Sequence, residues 1–332
     1  MQVLTVLDST RSVCSTRSRT QNPEVPRIKT ISLLYLSLTA CSVHATHVEN
    51  RPATPVIETR DVERFYGVYD AADGHPTSEA LQQDYLDPGS DGLHVLARLR
   101  RVNGESIASA IAKRPQIYTN ARACVKVLPA VRDRLADAMR DLGQRYPEAR
   151  FPPITIAIGR GKPVGVGGRE TGVQIGLEAL CATDWVDPDV EDRFVRVIVH
   201  EYVHVQQAVA FSEGEHPTVL GASLEEGAAE FVTKLITGAA AYAYMPALVK
   251  GHEVEIESAF AADLDKSDLS DWLYNSTPER PADLGYWVGY RIVKTYYRNA
   301  SDKNQALRDI FGMTDPKAFL KASGWRPGIE PP

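Results

Sequence analysis

The feature that most constrains this chain is the run Val197–Gln207, VIVHEYVHVQQ, which places two histidines on an apolar segment. His200 and His204 are four residues apart, so on an α-helix their imidazoles share one face. Both rings can then reach one metal ion at the roughly 2.0–2.1 Å of a zinc–nitrogen bond. The surrounding valines and isoleucine predict a buried helix, and buried imidazoles need polar partners. The run therefore predicts a zinc site on a buried helix.

Glu201 completes an H-E-x-x-H motif with the two histidines. It lies about 100° around the helix axis from His200, which leaves its carboxylate beside the metal and not bound to it. A carboxylate in this place can take a proton from a zinc-activated water, whose pKa the cation lowers toward ~7. We interpret Glu201 as the general base. The alternative is a chance pattern of core histidines, and a third ligand is needed to decide between the two.

Catalytic zinc needs three protein ligands and a position left for water or substrate. The metzincin extension of the motif would require glycine at position 207 and histidine at position 210. The chain has Gln207 and Ala210 there, which excludes that class. The next candidates are the three carboxylates of the helix-like run Ser223–Val232, which follows a predicted loop over residues 212–222.

Glu226 and Glu230 are four residues apart and share a face of this second helix. We predict Glu226 as the third zinc ligand and Glu230 as the acceptor that fixes the orientation of a ligand imidazole. Glu225 is rotated away toward solvent or the capping region. The alternative is that Ser223 and Glu226 form a capping box at the start of the helix, because Ser-x-x-Glu is the signature of one.

These residues resemble the glutamate-ligand (gluzincin) pattern of thermolysin-like and aminopeptidase-type enzymes. More closely, the stretch from about Asp61 to Phe319 resembles an uncharacterised bacterial family of predicted Zn-dependent proteases. The matching pieces are Asp61–Phe65 with Tyr69, Tyr85–Leu86 to Gly92–Leu93, Gly167–Gly168, Gly176, His200–His204, Glu226–Glu230 and Gly285–Arg291. The resemblance implies a zinc peptidase that acts on a peptide or protein, although it does not name the substrate.

The pattern of apolar residues predicts an α+β chain that is mostly α. Helical periodicity recurs in segments such as 62–71 and 125–145, and a further helix is predicted over residues 239–250. Ile154–Ile158 and Thr171–Leu177 read as two short strands. The Gly-rich segment 159–168 between them lacks the Gly-Lys-Ser/Thr ending of a phosphate loop. We expect a zincin-like two-lobed fold, with this small sheet before the active-site helix and a helical C-terminal lobe. An edge strand of the sheet would bind an extended peptide by β-augmentation.

Two tyrosines in the predicted helix 282–298 are candidates for stabilising an oxyanion. Tyr286 and Tyr290 are four residues apart and share a face. A zinc peptidase needs a hydrogen-bond donor at the oxygen on which negative charge develops during attack on the carbonyl. We assign this role to Tyr290 first and Tyr286 second. The alternative is an aromatic core stripe with hydroxyls at its edge.

The beginning of the chain has the pattern of an export signal. Basic residues at 27 and 29 precede the apolar run Ile31–Leu38, which is shorter than the ~20 residues of a membrane span. Leu38–Cys41 resembles a bacterial lipobox, and the alternative is plain secretory cleavage after Ala45. We expect an exported protein of the cell envelope or periplasm that contacts the membrane only through a lipid anchor at Cys41. The long Ser/Arg-rich segment before the apolar run is interpreted as a misassigned start, with Val25 as the true first residue.

The predicted organisation has three parts: residues 1–41 as the signal region, 42–59 as a flexible tether, and 60–325 as the metallopeptidase-like domain. Within the domain we place an upper lobe to about residue 211 and a helical lower lobe at about 223–325. The 332 residues, 43% of them apolar and 24% charged, can bury a full core. The net charge of −6 argues against nucleic acid as a partner. In an exported protein Cys124 and Cys181 could form a disulfide or remain free thiols.

The sequence therefore predicts a zinc-dependent peptidase that hydrolyses peptide bonds with Glu201 as the general base. Two alternatives stay open. One is a non-catalytic zinc-containing envelope lipoprotein that binds a partner, for which a fourth protein ligand would be expected. The other is a zinc hydrolase of non-peptide amides.

Overall fold

The structure is a computed structural model, and it describes residues 55–162, 164–208 and 217–329. The predicted signal region, and the predicted tether up to residue 54, lie outside the described residues. Helices and one small sheet make up the described part, which confirms the prediction of an α+β chain that is mostly α. The helices are α1 (Arg60–Ala71), α2 (Ser78–Ala80, continued by a π-helix over Leu81–Leu86), α3 (Asp91–Arg100), α4 (Gly104–Lys113), α5 (Pro115–Val125), α6 (Leu128–Arg145), α7 (Leu177–Cys181), α8 (Val190–Gln206), α9 (Val219–Thr237), α10 (Met245–Val249), α11 (Glu253–Asp263), α12 (Leu284–Asn299), α13 (Lys303–Phe311) and α14 (Pro316–Ser323).

The sheet has four strands in the order β1-β2-β4-β3. They are β1 (Ile57–Glu58), β2 (Ile154–Ala157), β3 (Gly165–Gly168) and β4 (Gly172–Gly176). The pairs β1–β2 and β2–β4 are parallel, whereas β3 lies antiparallel to β4 at one edge of the sheet. All residues of β2 and β4 are buried, so the sheet forms part of the core.

The structure differs from the sequence prediction at two places in the sheet. The Gly-rich segment 159–168 ends in β3 and is not only a loop, because its last four residues pair with β4. Three of these four residues are glycine, so the alternation of apolar side chains that identifies a strand is missing. The end of the predicted tether, Ile57–Glu58, is paired with β2.

Two helix predictions also change. The capping-box alternative is wrong, since α9 begins at Val219 with the side chain of Thr218 as its N-cap, and Ser223 is fully buried inside the helix. The predicted helix at 239–250 is reduced to Met245–Val249. Among the described residues, no helix is long and apolar enough to cross a membrane.

Cys124 and Cys181 form a disulfide, with their Cα atoms 6.1 Å apart. The bond joins the C-terminal ends of α5 and α7, two helices that pack together beside the sheet. This decides between the disulfide and the free thiols that the sequence left open.

Backbone contact between α9 and α12 depends on glycine. A Cβ atom added to Gly289 would lie 1.7 Å from the carbonyl oxygen of Ser223, and one added to Gly227 would lie 2.1 Å from the carbonyl carbon of Gly289. Neither position has room for a side chain, so the helices can pack this closely only because both residues are glycine. The contact brings the start of α12, including Tyr286, against the helix that carries Glu226.

We predict that Gly289→Ala lowers the free energy of unfolding by about 3 kcal/mol, the upper part of the usual range for overpacking, because the added methyl group meets backbone. Urea unfolding followed by circular dichroism measures the change. Gly67→Ala is the matched control: Gly67 is exposed on α1, and a Cβ there meets nothing within 4 Å. It should stabilise the helix by up to about 1 kcal/mol. Equal effects of the two substitutions would contradict the close-contact interpretation.

Candidate metal centre

Helices α8 and α9 bring three potential ligand atoms together. Nε2 of His200 lies 3.2 Å from Nε2 of His204 and 3.1 Å from Oε2 of Glu226, and the third side of the triangle, His204 to Glu226, is 3.4 Å. Within the described residues these three form the group that could hold a metal ion. The two histidines share a face of α8, as their spacing predicts, and Glu226 faces them from α9.

The triangle fits zinc. Ligands of a tetrahedral ion at roughly 2.0–2.1 Å lie about 3.3–3.4 Å from one another. The observed separations of 3.1–3.4 Å are close to this value. The pocket around the cluster has a volume of about 20 Å³, enough for an ion or a water molecule but too small for an organic cofactor. Two imidazoles with one carboxylate are also a usual donor set of catalytic zinc.

Each histidine has a partner on its other ring nitrogen. Nδ1 of His200 lies 2.7 Å from Oε1 of Glu230, and Nδ1 of His204 lies 2.7 Å from Oε1 of Gln207. An N–H donated from Nδ1 leaves the Nε2 lone pair pointing into the triangle, as a metal ligand requires. Glu230 is thus placed where the sequence predicts an orienting acceptor.

Gln207 is a functional residue that the sequence analysis missed. It appears there only as the residue that excludes a metzincin motif. In the structure its side-chain amide donates to the carbonyl oxygen of Glu225, 2.8 Å away, and this bond turns its own oxygen toward His204. Its position three residues after the second histidine is the signal that could have identified it, because i and i+3 side chains are neighbours on a helix.

Tyr274 is a second such residue. Its hydroxyl donates to Oε1 of Glu226 at 3.1 Å, so each oxygen of this carboxylate has a defined neighbour. Tyr274 lies between α11 and α12 and has a φ of +58°, a left-handed conformation that residues other than glycine seldom adopt. No spacing connects it to the motif in the sequence, so only the fold could reveal it.

Glu201 faces the same pocket without ligating. It is 5% exposed, and its Oε2 atom has no hydrogen-bond partner among the described residues. Strand β3 lies directly against it: a Cβ atom on Gly165 would be 2.7 Å from Oε1 of Glu201, and one on Gly167 would be 2.0 Å from its carbonyl oxygen. The glycines of β3 therefore let the edge strand and the unligated carboxylate share one wall of the site.

The carboxylates of α9 control the protonation of the histidines. Burial alone would lower the pKa of His200, but hydrogen bonds and charges from Glu226 and Glu230 outweigh it and raise the pKa to about 10. His204 shows the same balance, with burial opposed by Glu226, and its pKa is raised to about 9. Burial would raise the pKa of Glu226, yet His204 and His200 hold it well below the usual value. Glu225 is part-buried and not turned to solvent as expected, and burial raises its pKa to about 7.

The two candidate tyrosines have different surroundings. Tyr286 is 2% exposed, lines the metal pocket, and its ring stacks beside that of His200 with 6.2 Å between centroids. Tyr290 lies one helical turn further along α12, about 5.4 Å away, where its ring contacts Phe231 and the ammonium group of Lys234. It does not line the metal pocket, because at this point of α12 its ring meets side chains of α9 and not the histidines of α8.

Residues 185–312 match the model of a protein family described as "Predicted Zn-dependent protease (DUF2268)". The match supports the resemblance to predicted Zn-dependent proteases, and it spans α8, α9 and α12 with all three potential ligands. Together with the His-His-Glu cluster it supports zinc as the cofactor. Comparison with curated proteins and with solved structures found no match.

We predict that zinc binding releases protons and strengthens as the pH rises from about 6 toward 10. Because the pKa values of His200 and His204 are raised, the cationic form of each imidazole is favoured at neutral pH in the metal-free protein. Zinc must displace the additional proton to bind the ring nitrogen. Calorimetric titration in buffers of different ionisation enthalpy counts the released protons. His252→Asn, which changes an exposed histidine outside the site, should leave the dependence unaltered. An affinity that falls as the pH rises would contradict the assignment.

Proposed function

We propose that this protein is a gluzincin-type zinc peptidase in which His200, His204 and Glu226 hold the metal. The observation that carries the proposal is the triangle of three ligand atoms with the unligated carboxylate of Glu201 in the same pocket. The family match supports the protease class. The described residues offer three ligands and not four, which is typical of catalytic zinc and disfavours the non-catalytic alternative.

Each residue has a separate task in this proposal. Bound zinc would supply Lewis-acid chemistry, since it lowers the pKa of a water ligand to about 7 and polarises a carbonyl oxygen. Glu201 accepts the proton of the attacking water and later returns it to the leaving amine. Glu230 and Gln207 hold the two imidazoles in the ligating orientation, and Tyr274 holds Glu226.

We place the peptide substrate along β3, in a zincin-like two-lobed arrangement. β3 is an edge strand, and edge strands can accept the main chain of an extended peptide. Residues from both predicted lobes line the metal pocket, namely Gly165 and Thr183 from the first and Tyr242 and Tyr286 from the second. Because β3 begins beside Glu201, a peptide bound there would pass over the metal.

Tyr286 is the proposed hydrogen-bond donor to the carbonyl oxygen of the cleaved bond. Burial raises its pKa well above the usual value, so the hydroxyl keeps its proton at all physiological pH values. Its place in the pocket beside His200 supports this role over that of Tyr290.

We predict that Glu201→Gln retains zinc but loses peptide hydrolysis by a factor of about a hundred or more, because the amide cannot accept the proton of water. Metal analysis and digestion of an unbiased peptide library measure the two properties on the same preparation. Unchanged hydrolysis would contradict the mechanism.

Two further variants complete this comparison. Glu191→Gln changes a half-buried carboxylate in the first turn of the same helix, far from the ligands, and it should leave both zinc content and hydrolysis unaltered. Glu226→Gln should lose zinc as well as hydrolysis, because it removes a ligand. Stoichiometric zinc in Glu226→Gln would exclude the proposed ligand set.

We also propose that the protein is exported and lipid-anchored at Cys41. The disulfide between Cys124 and Cys181 supports an oxidising compartment. The mature chain should begin with a lipid-modified Cys41, which mass spectrometry of its N-terminal peptide can measure. A mature chain that begins at Thr46 would support plain secretion, and an unprocessed chain with reduced cysteines would contradict export.

A further inference from the structure

A groove with positively charged walls leads away from the metal pocket. Val164 and Thr183 line both the metal pocket and a larger cavity of about 230 Å³. That cavity shares Arg114 and Lys162 with a further open groove of about 580 Å³. We call the two together the basic trough. It is continuous with the site at which the proposed function places the reaction.

The charges of the basic trough are all of one sign. Its lining includes four cationic side chains and no aspartate or glutamate; the four are Lys113, Arg114, Arg160 and Lys162. Within the part of the chain that the structure describes, none of the four forms an ion pair with a carboxylate. The chain as a whole carries a net charge of −6, so this surface departs from the average.

A buried carboxyl group, that of Glu178, contacts the loop that carries Arg160 and Lys162. Glu178 is fully buried, and it accepts hydrogen bonds from the backbone N–H groups of Gly159 and Gly161, 3.0 and 2.8 Å away. Burial raises the pKa of this carboxyl group, although the backbone N–H groups of the loop and the charge of Arg114 oppose the shift. Its contacts hold the loop in place and leave the cationic side chains to face the groove.

The direction of β3 defines which part of a peptide would reach the trough. β3 starts at Gly165, beside the carboxylate of Glu201, and continues past the backbone of the same residue at Gly167 to Gly168. The trough is lined by residues 161, 162 and 164, before the strand. A peptide antiparallel to β3 therefore enters past Gly168, crosses the metal pocket and leaves over the trough. The residues in the trough are those on the C-terminal side of the cleaved bond.

We propose that the basic trough binds acidic side chains of the peptide substrate on the C-terminal side of the cleaved bond. The proposal rests on the proposed peptidase function. A peptide fits better than a membrane surface, because the trough is concave, is walled by Trp185 and Pro278, and continues into the metal pocket. Acidic groups in such a groove gain Coulomb attraction that is partly shielded from solvent.

The test uses binding first, so that it does not depend on hydrolysis. A short fluorescent peptide rich in glutamate, and its glutamine counterpart, are titrated into the zinc-loaded full-length Glu201→Gln protein by anisotropy. The glutamate peptide should bind about tenfold more tightly at low salt, and the difference should shrink as salt screens the charges. The double variant Lys113→Glu with Lys162→Glu should abolish the preference.

These two lysines are chosen because both are exposed and neither supports the loop. Arg114 is left unchanged, since its guanidinium donates to the carbonyl oxygens of Arg160 and Gly161. The matched control is Lys250→Glu with Lys321→Glu, which makes the same change in net charge at exposed positions outside the trough. It should keep the preference for the glutamate peptide.

Digestion of a peptide library by the wild-type protein then separates the two proposals. Acidic residues enriched on the C-terminal side of the cleaved bonds support the trough, and cleavage without such enrichment overturns it while the peptidase function stands. Specific binding of the glutamate peptide without any cleavage would support the trough as a binding site for acidic peptides and contradict the proposed peptidase function. Equal binding of the glutamate and glutamine peptides would overturn the proposal. If the trough variants then lost affinity for vesicles of anionic lipid, the trough would be assigned to membrane binding.

Discussion

The pairing of His200 with Glu226 and Glu230 is the interaction on which the rest of the site depends. All three side chains are buried, and each charge is tolerated only because the others lie within hydrogen-bonding distance. Removal of one partner from such a buried pair usually costs about 3–5 kcal/mol, so α8 and α9 are fixed in one register. That register carries His204 and Glu201 to their places on the same helix. The metal site and the packing of the two helices are therefore one constraint.

Glycine provides the second constraint, at two interfaces around this pair of helices. Gly227 and Gly289 let α12 pack against α9 through backbone, and Gly165 and Gly167 let β3 rest on α8. The first contact sets Tyr286 beside the histidines, and the second sets the edge strand beside Glu201. These glycines thus have a physical role as contact points, because a Cβ at these positions would separate the elements that enclose the site.

The surroundings of the metal site divide by charge. The cluster itself is a balanced group of imidazoles and carboxylates, enclosed by tyrosines that burial keeps protonated. The charged side chains that line the adjoining trough come from the loop before β3 and the end of α4, and all of them are cationic. The metal pocket and the trough meet at Val164 and Thr183, so one bound peptide could contact both. Selectivity for acidic substrates would arise from this neighbouring surface and not from the ligands.

The sequence by itself determined the elements whose residues are close along the chain. Helical spacing set His200 with His204, and Glu226 with Glu230, on common faces, and the apolar periodicity identified most of the helices. Only the tertiary structure decided which distant groups meet those faces. Tyr274 reaches Glu226 from 48 residues away, β3 is a strand without apolar alternation, and Tyr286 rather than Tyr290 lines the pocket. The reason is that local periodicity fixes the direction of a side chain on its own helix, whereas packing between helices fixes what lies opposite.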